Sequence, residues 1–301
     1  MRANHILLKV VLTALLCPTI VHAGNFTSRH AIVTVLTNIS DEYLQLAIVL
    51  GYSITMYADV DNRVDRIIVT LFGDDLRDTV KQKLEFAGWT VVQMPAIPPP
   101  ASVNVDTVKH ARYVGCFSKL HVFNMTQYDA ILYLDADTML CGNIMELFTY
   151  YAPRMQKHGV HLAMARDSIS DANADATFNA GVMLVRPSRT LAEELISNPH
   201  NVTFNNKFSE QGFLTAVFNT THYIHAESAY KQLHVLPQKF NLMAHIASTD
   251  QALWQKTRKD ARIFHFTWLK PTAQFLLLRC AYMGTLHFCK RWTHIQHITH
   301  A

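Results

Sequence analysis

YDAILYLDADTMLCGNIMELF, residues 128–148, decides the fold. Five apolar residues, Ala130-Ile131-Leu132-Tyr133-Leu134, run without interruption and end at two acids one residue apart, Asp135 and Asp137. An unbroken apolar run of this length predicts a strand covered on both faces, as in a parallel sheet. Open α/β sheets take their ligands beyond the carboxyl ends of the strands. Two carboxylates at that end are placed to hold a hard cation against a phosphorylated ligand. The competing reading is two solvated acids in a loop.

The residues upstream alternate in the same way. His30–Thr37 (HAIVTVLT), Asp65–Leu71 (DRIIVTL) and Trp89–Met94 predict strands; Tyr43–Ala58 and Leu76–Ala87, the latter stopped by Gly88, predict helices. Strand–helix alternation implies a parallel or mixed α/β sheet. Pro95–Pro100 holds four prolines and reads as a stiff connector rather than a domain boundary, since a helix follows at about 109–124. Downstream, 161–165, 178–185 and 262–266 predict strands, and 191–196 and 210–218 helices. Residues 167–175 read as a polar loop.

The chain has 301 residues, half of them apolar, enough for a large core. The net charge of +4 is weak and no Lys/Arg block occurs, so no nucleic-acid partner is expected. Arg2 and Lys9 flank or interrupt an apolar stretch from Ile6 to Ile20, and Val21-His22-Ala23 follows with small residues. Residues 1–23 therefore predict a secretory signal cleaved after Ala23, with an uncleaved anchor as the alternative and the only route to membrane contact. Sequons at Asn25, Asn38, Asn124, Asn201 and Asn219 agree with a secretory route. Beyond residue 23 four cysteines remain, Cys116, Cys141, Cys280 and Cys289; an oxidising compartment permits disulfides, with Cys280–Cys289 the local pairing, and four thiols the alternative.

Leu134-Asp135-Ala136-Asp137-Thr138 fits two chemistries. An aspartyl phosphatase of the haloacid-dehalogenase type needs a later acidic pair, and the downstream aspartates Asp167, Asp171, Asp175, Asp250 and Asp260 are isolated. A nucleotide-sugar transferase needs only a cation on a diphosphate. At this point the chain resembles glycosyltransferase family 8, the glycogenin-like enzymes, over roughly residues 30–271. The resemblance rests on blocks in family order: Val35-Leu36-Thr37-Asn38 with Tyr43, Arg112 with Ser118-Lys119-Leu120, Leu134–Leu140, Phe178-Asn179-Ala180-Gly181-Val182, Glu210-Gln211-Gly212, Leu236-Pro237 through Phe240-Asn241, and His265-Phe266-Thr267 with Lys270-Pro271.

The resemblance implies a single-domain GT-A fold over residues 24–301, a Rossmann-like mixed sheet flanked by helices. It implies a retaining transferase moving a hexose or hexuronic acid from a UDP-sugar to a carbohydrate, lipid or protein acceptor. Asp135, Asp137 and His265 would hold Mn²⁺, with Mg²⁺ as the alternative; carboxylate and imidazole donors suit Mn²⁺. Lys270 would neutralise phosphate, and Arg112 and Lys119 would lie by the nucleotide or donor sugar. Thr37, Asn38 and Tyr43 would hold the uridine. Asn179 and Gln211 would hydrogen-bond the sugar, with Glu210 the nearest carboxylate to the reaction. Leu36, Ala136 and Gly181 complete the substrate-binding set. Glu210 stands where the family usually has aspartate, and no tyrosine lies between Tyr230 and Tyr282. The self-glucosylating branch is therefore a poor match, and a lumenal or secreted relative is expected. An inactive secreted sugar- or nucleotide-binding module on the same fold is the other reading.

Overall fold

The computed structural model describes residues 30–37, 39–58, 64–71, 76–100, 103, 111–167, 178–197, 202–204, 208–218 and 233–267, with the side chains of 111–114 excepted. The 1–23 segment, the sequons at 25, 38, 201 and 219, Lys270, Cys280 and Cys289 lie outside the described residues. Among the described residues no helix is long and apolar enough to cross a membrane. Cys116 and Cys141 are thiols rather than members of a disulfide.

Ten strands are described: β1 His30–Leu36, β2 Val64–Thr70, β3 Thr90–Gln93, β4 Ala130–Leu134, β5 Thr138–Leu140, β6 Leu162–Arg166, β7 Phe178–Val185, β8 Leu233–Val235, β9 Leu242–Met243 and β10 Ile263–His265. Seven form the main sheet, in the order β3-β2-β1-β4-β7-β6-β8. The first four run parallel; β7 is antiparallel to both β4 and β6, and β6 pairs parallel with β8. The apolar run thus lands in the middle of a mixed sheet. All five residues of β4 are buried, because it has a hydrogen-bonded neighbour on each side and an apolar cluster on each face.

Helix α1, Asp41–Tyr57, begins after Ser40, whose backbone is extended, and carries Asp41 and Glu42 in its first turn, where acids suit the helix dipole. It covers one face of the sheet together with α2, Asp78–Phe86. Gly51 lets α1 lie directly on the turn after α2: a Cβ there would come within 2.5 Å of the Ala87 carbonyl, and Trp89 Nε1 donates to Ala47 O at 2.9 Å. The opposite face is covered by a 3₁₀ helix, Ala111–Asn124, after the proline connector, with α4, Arg189–Ser197, and α5, Ser209–Phe218. Between these, Leu147–Tyr151 runs as a π-helix straight into α3, Ala152–Lys157.

A second sheet was not legible in the sequence. β5, β10 and β9 form three short strands in that order, with α6 (Ile246–Thr249) and α7 (Gln251–Thr257) packed nearby around Trp254, Phe264 and Phe266. β5 leaves the main sheet just after β4, so residues 135–137 are the joint between the two sheets. That joint positions the site.

Candidate active site

β4 brings Asp135 to the carboxyl edge of the main sheet, and its backbone N–H donates to Gly181 O of β7 at 2.8 Å. A tight turn follows, closed by Thr138 N–H and Thr138 Oγ1 on Asp135 O at 3.0 and 2.8 Å. β5 then pairs antiparallel with β10, placing Thr138 opposite His265. Phe266 N–H donates to Asp137 O at 2.9 Å. Two residues more than a hundred positions apart are thereby fixed side by side by backbone hydrogen bonds.

His265 Nε2 lies 3.4 Å from Asp137 Oδ1 and 3.9 Å from Asp135 Oδ2. One ligand atom from each of the three residues falls within 4.8 Å of the others, so a single ion can reach all three. Asp137 and His265 are buried and Asp135 is open to the edge of the site. The donor set, two carboxylates and an imidazole, suits a hard or borderline divalent cation such as Mn²⁺ or Mg²⁺. Space is provided by Gly181. A Cβ at that position would overlap the His265 ring, and its three nearest atoms all belong to that ring.

Behind the acids lies Lys119 of the 3₁₀ helix, only 4 % exposed. Its Nζ is 2.7 Å from Glu210 Oε1, 3.2 Å from Asp135 Oδ1 and 3.4 Å from Ala180 O. Burial opposes the charge on Lys119, but Asp135 and Glu210 outweigh it and hold the pKa well above the usual lysine value. Tyr133 Oη donates to the same Asp135 oxygen at 2.6 Å; burial, then the Asp135 charge, push its pKa well up. Burial likewise opposes protonation of His265, yet the charge and hydrogen bond of Asp137, with Asp135, raise its pKa above the ordinary value. A cation bound between those acids would replace that proton. Glu210 is aimed from the start of α5 after Ser209, whose φ of 48° is uncommon for a non-glycine residue.

A second cluster adjoins the first. Asn179 Nδ2 donates to Asp167 Oδ1 at 2.9 Å and to Gln211 Oε1 at 3.3 Å; Gln211 Nε2 donates to Asp167 Oδ2 at 3.1 Å. Asn179 Oδ1 accepts from Gly181 N–H at 3.0 Å and from Asn241 Nδ2 at 2.9 Å. Asn241 Oδ1 in turn meets His265 Nδ1 at 3.1 Å. Hydrogen bonds thus run from His265 to the residues expected to hold a sugar.

Most of the residues singled out from the sequence converge here: Lys119, Asp135, Ala136, Asp137, Asn179, Gly181, Glu210, Gln211 and His265. Leu36 ends β1 and Thr37 follows it at the same edge. Leu36 is fully buried and has only its backbone to offer, while Thr37 faces Gly115 of the 3₁₀ helix. Tyr43 packs, half-buried, against the core beneath α1. Asn38, Lys270 and the Arg112 side chain lie outside the described residues. Asp167 is not singled out by the sequence pattern, which places it in the polar loop 167–175. Its place directly after β6 was the available signal, since ligand sites gather beyond the carboxyl ends of such strands. Tyr133 was missed as well, because its ring reads as core.

A family model for "Glycosyl transferase family 8" matches residues 34–271. Inositol phosphorylceramide glucuronosyltransferase 1 of Arabidopsis thaliana is 30 % identical over 195 residues, 65 % of this chain and 31 % of the relative. UDP-glucuronate:xylan alpha-glucuronosyltransferase 2 of the same plant is 25 % identical over 78 % of this chain and 32 % of its own length. Glycogenin-1 of Oryctolagus cuniculus is 27 % identical over 63 % of this chain and 51 % of its own. The chain spans about a third to a half of these curated relatives. Among solved structures, the WbbM bifunctional glycosyltransferase superposes with a TM-score of 0.56 at 18 % identity, covering 81 % of this chain and 47 % of that one. Mouse xyloside xylosyltransferase 1 gives 0.53 at 14 %, covering 81 % and 99 %.

Proposed function

The chain belongs to glycosyltransferase family 8 and has its GT-A fold, and from that premise we propose that it is a metal-dependent, retaining transferase that moves a hexose or hexuronic acid from a UDP-sugar to a carbohydrate, lipid or protein acceptor in the secretory pathway. The observation that carries this reading is the meeting of Asp135, Asp137 and His265 from two different sheets, with atoms close enough for one cation. Mn²⁺ is the preferred ion and Mg²⁺ the alternative. When bound, the cation supplies Lewis-acid neutralisation of the departing diphosphate.

The chain's own residues supply the rest. Asn179, Gln211 and Asp167, each already tied to the others, present hydrogen-bonding groups to the hydroxyls of the donor sugar and keep its orientation fixed. Lys119 holds Glu210 and Asp135 in place, so that neither carboxylate drifts toward the developing positive charge of the sugar ring or away from it. Transfer breaks the bond from the anomeric carbon to the β-phosphate oxygen and forms one to the acceptor oxygen on the same face. The acceptor's proton passes to the leaving diphosphate. Glu210 and Gln211 are assigned to the donor sugar, where they would stabilise the partial positive charge of the ring. Thr37, Asn38 and Tyr43 are assigned to the uridine, with Leu36 offering backbone groups, and Arg112 and Lys270 to the phosphates.

The test is UDP release from a panel of UDP-glucose, UDP-galactose and UDP-glucuronate with Mn²⁺, comparing wild type with Asp137→Ala. Release that depends on the metal and disappears in the variant is expected, and the panel then names the donor. Equal, background-level release from both proteins across the panel overturns the enzymatic reading.

A further inference from the structure

Asn241 belongs to a stretch, Leu236-Pro237 through Phe240-Asn241, to which the chemistry above gives no task. It is fully buried, and its side chain lies between His265 and Asn179. We infer that Asn241 is a positioning residue that sets the tautomer of His265 and so keeps the Nε2 lone pair directed at the cation.

The argument is a matter of proton direction. A backbone N–H can only donate, so the Asn179 atom facing Gly181 N–H at 3.0 Å is the oxygen. The other end agrees independently: a carboxylate only accepts, so the Asn179 atom facing Asp167 at 2.9 Å is the nitrogen. With both ends of Asn179 assigned, the Asn241 atom 2.9 Å from Asn179 Oδ1 must be its nitrogen. Its oxygen therefore faces His265 Nδ1 at 3.1 Å, and that ring nitrogen must carry a proton. In the neutral ring this leaves Nε2 as the acceptor, and Nε2 is the atom facing Asp137 and Asp135. Cation-binding histidines commonly have such a partner on the far nitrogen, which fixes the ring and raises its basicity. Here the far partner is an amide whose own orientation is dictated by a main-chain N–H two residues from it in the network. Asn241 is held in turn by its backbone, with Asn241 N–H donating to Gln238 O at 3.0 Å and Gln238 Nε2 donating to Asn241 O at 2.8 Å.

This inference rests on the metal-dependent reading, and its test separates the two. Mn²⁺ affinity is measured by electron paramagnetic resonance, without any nucleotide, on wild type, Asn241→Leu and Asn241→Asp at one neutral pH. Leu keeps the volume and removes the acceptor; Asp keeps the acceptor for His265 Nδ1 and, protonated on its other oxygen, the donor to Asn179 Oδ1. The expected result is about 10–100-fold weaker binding in Asn241→Leu, the range seen when outer partners of metal-binding histidines are removed, and affinity within about threefold of wild type in Asn241→Asp. Wild-type affinity in a folded Asn241→Leu overturns the inference, as does an equal loss in both variants. If Asn241→Leu fails to fold, Asn241→Asp decides alone: near-native affinity supports the assignment and a loss of tenfold or so overturns it. Absence of Mn²⁺ binding by wild type takes down the metal-dependent reading and the inference with it, an outcome distinct from all the others.

Discussion

Gly181→Ala tests the geometry of the site with the smallest available change. Gly181 sits in β7, pinned by its carbonyl on Asp135 N–H at 2.8 Å and its N–H on Asn179 Oδ1 at 3.0 Å. Its φ is not in the left-handed region, so the backbone itself would accept alanine. The His265 ring is what stands in the way, because the three nearest atoms to an added Cβ are ring atoms. Neither partner can retreat easily, since His265 is held in β10 by β5 and β9. If the ring stays, the overlap costs about 1–3 kcal/mol, the usual penalty for overpacking. If the ring swings out, the buried Asn241 oxygen loses its donor, which costs about 1–3 kcal/mol as well. Either route lowers the melting temperature by about 2–12 °C in a protein of this size. Either also weakens Mn²⁺ binding, because Nε2 leaves its position. The sign should reverse in a His265→Ala background. There the obstacle is gone, and alanine in place of a strand glycine stabilises by about 0.5–1 kcal/mol. Melting curves for the four proteins of this cycle, with Mn²⁺ titrations of those retaining His265, make the assay. A Gly181→Ala protein with wild-type melting and wild-type Mn²⁺ affinity refutes the reasoning, and so does a penalty that persists after His265 is removed.

Further outcomes follow from the same contacts. Lys119→Met leaves Glu210 and Asp135 facing each other without their buried counter-charge, and chemical denaturation should show a loss of about 3–5 kcal/mol; adding Glu210→Gln should recover part of it. His121 is buried with Nε2 on Pro95 O at 2.7 Å, and burial lowers its pKa below the ordinary value of about 6.5. A depressed folded pKa contributes stability above the unfolded value that is lost as pH falls through it. The wild-type melting temperature should therefore drop between pH 7 and pH 5 by more than that of His121→Gln, which keeps a donor for Pro95. Among the described residues the site sets Asp135, Asp137, Glu210 and Asp167 against Lys119 and His265, a net negative surround for a diphosphate. UDP binding measured by calorimetry should be at least about tenfold weaker with a chelator than with Mn²⁺, since like charges at close range oppose association.

The parts of the fold legible in the sequence were those in which side-chain pattern dominates. Ala130–Leu134 is apolar throughout because β4 has sheet on both sides and clusters on both faces, so composition alone marked it as central. β1 is similar, apolar from Ala31 to Leu36 except at the buried Thr34. The second sheet was not legible as a sheet: of its strands only β10 was expected, within 262–266, and its partners β5 and β9 are three and two residues long. No period can be read from Thr138–Leu140 or Leu242–Met243, and these strands exist through backbone pairing with β10 rather than through any pattern of their own. The short helices 246–249 and 251–257 escaped for the same reason.

That gap explains which part of the site could be inferred from residues alone and which needed the resemblance. Asp135 and Asp137 follow from local pattern: a buried strand, its carboxyl end, two acids. His265 does not, because what places it is the antiparallel register of β5 with β10, and nothing in residues 138–140 or 263–265 announces that pairing. Asp167, Asn179, Gln211 and Asn241 are harder still. Each is an ordinary polar residue by itself, and its meaning lies in which atom faces which. Asn179 becomes informative only when Gly181 N–H and Asp167 fix its two ends. The two acids Asp135 and Asp137 were therefore visible one residue at a time, whereas chemistry carried by hydrogen-bond direction became visible only when the two sheets were joined at Asp135-Ala136-Asp137.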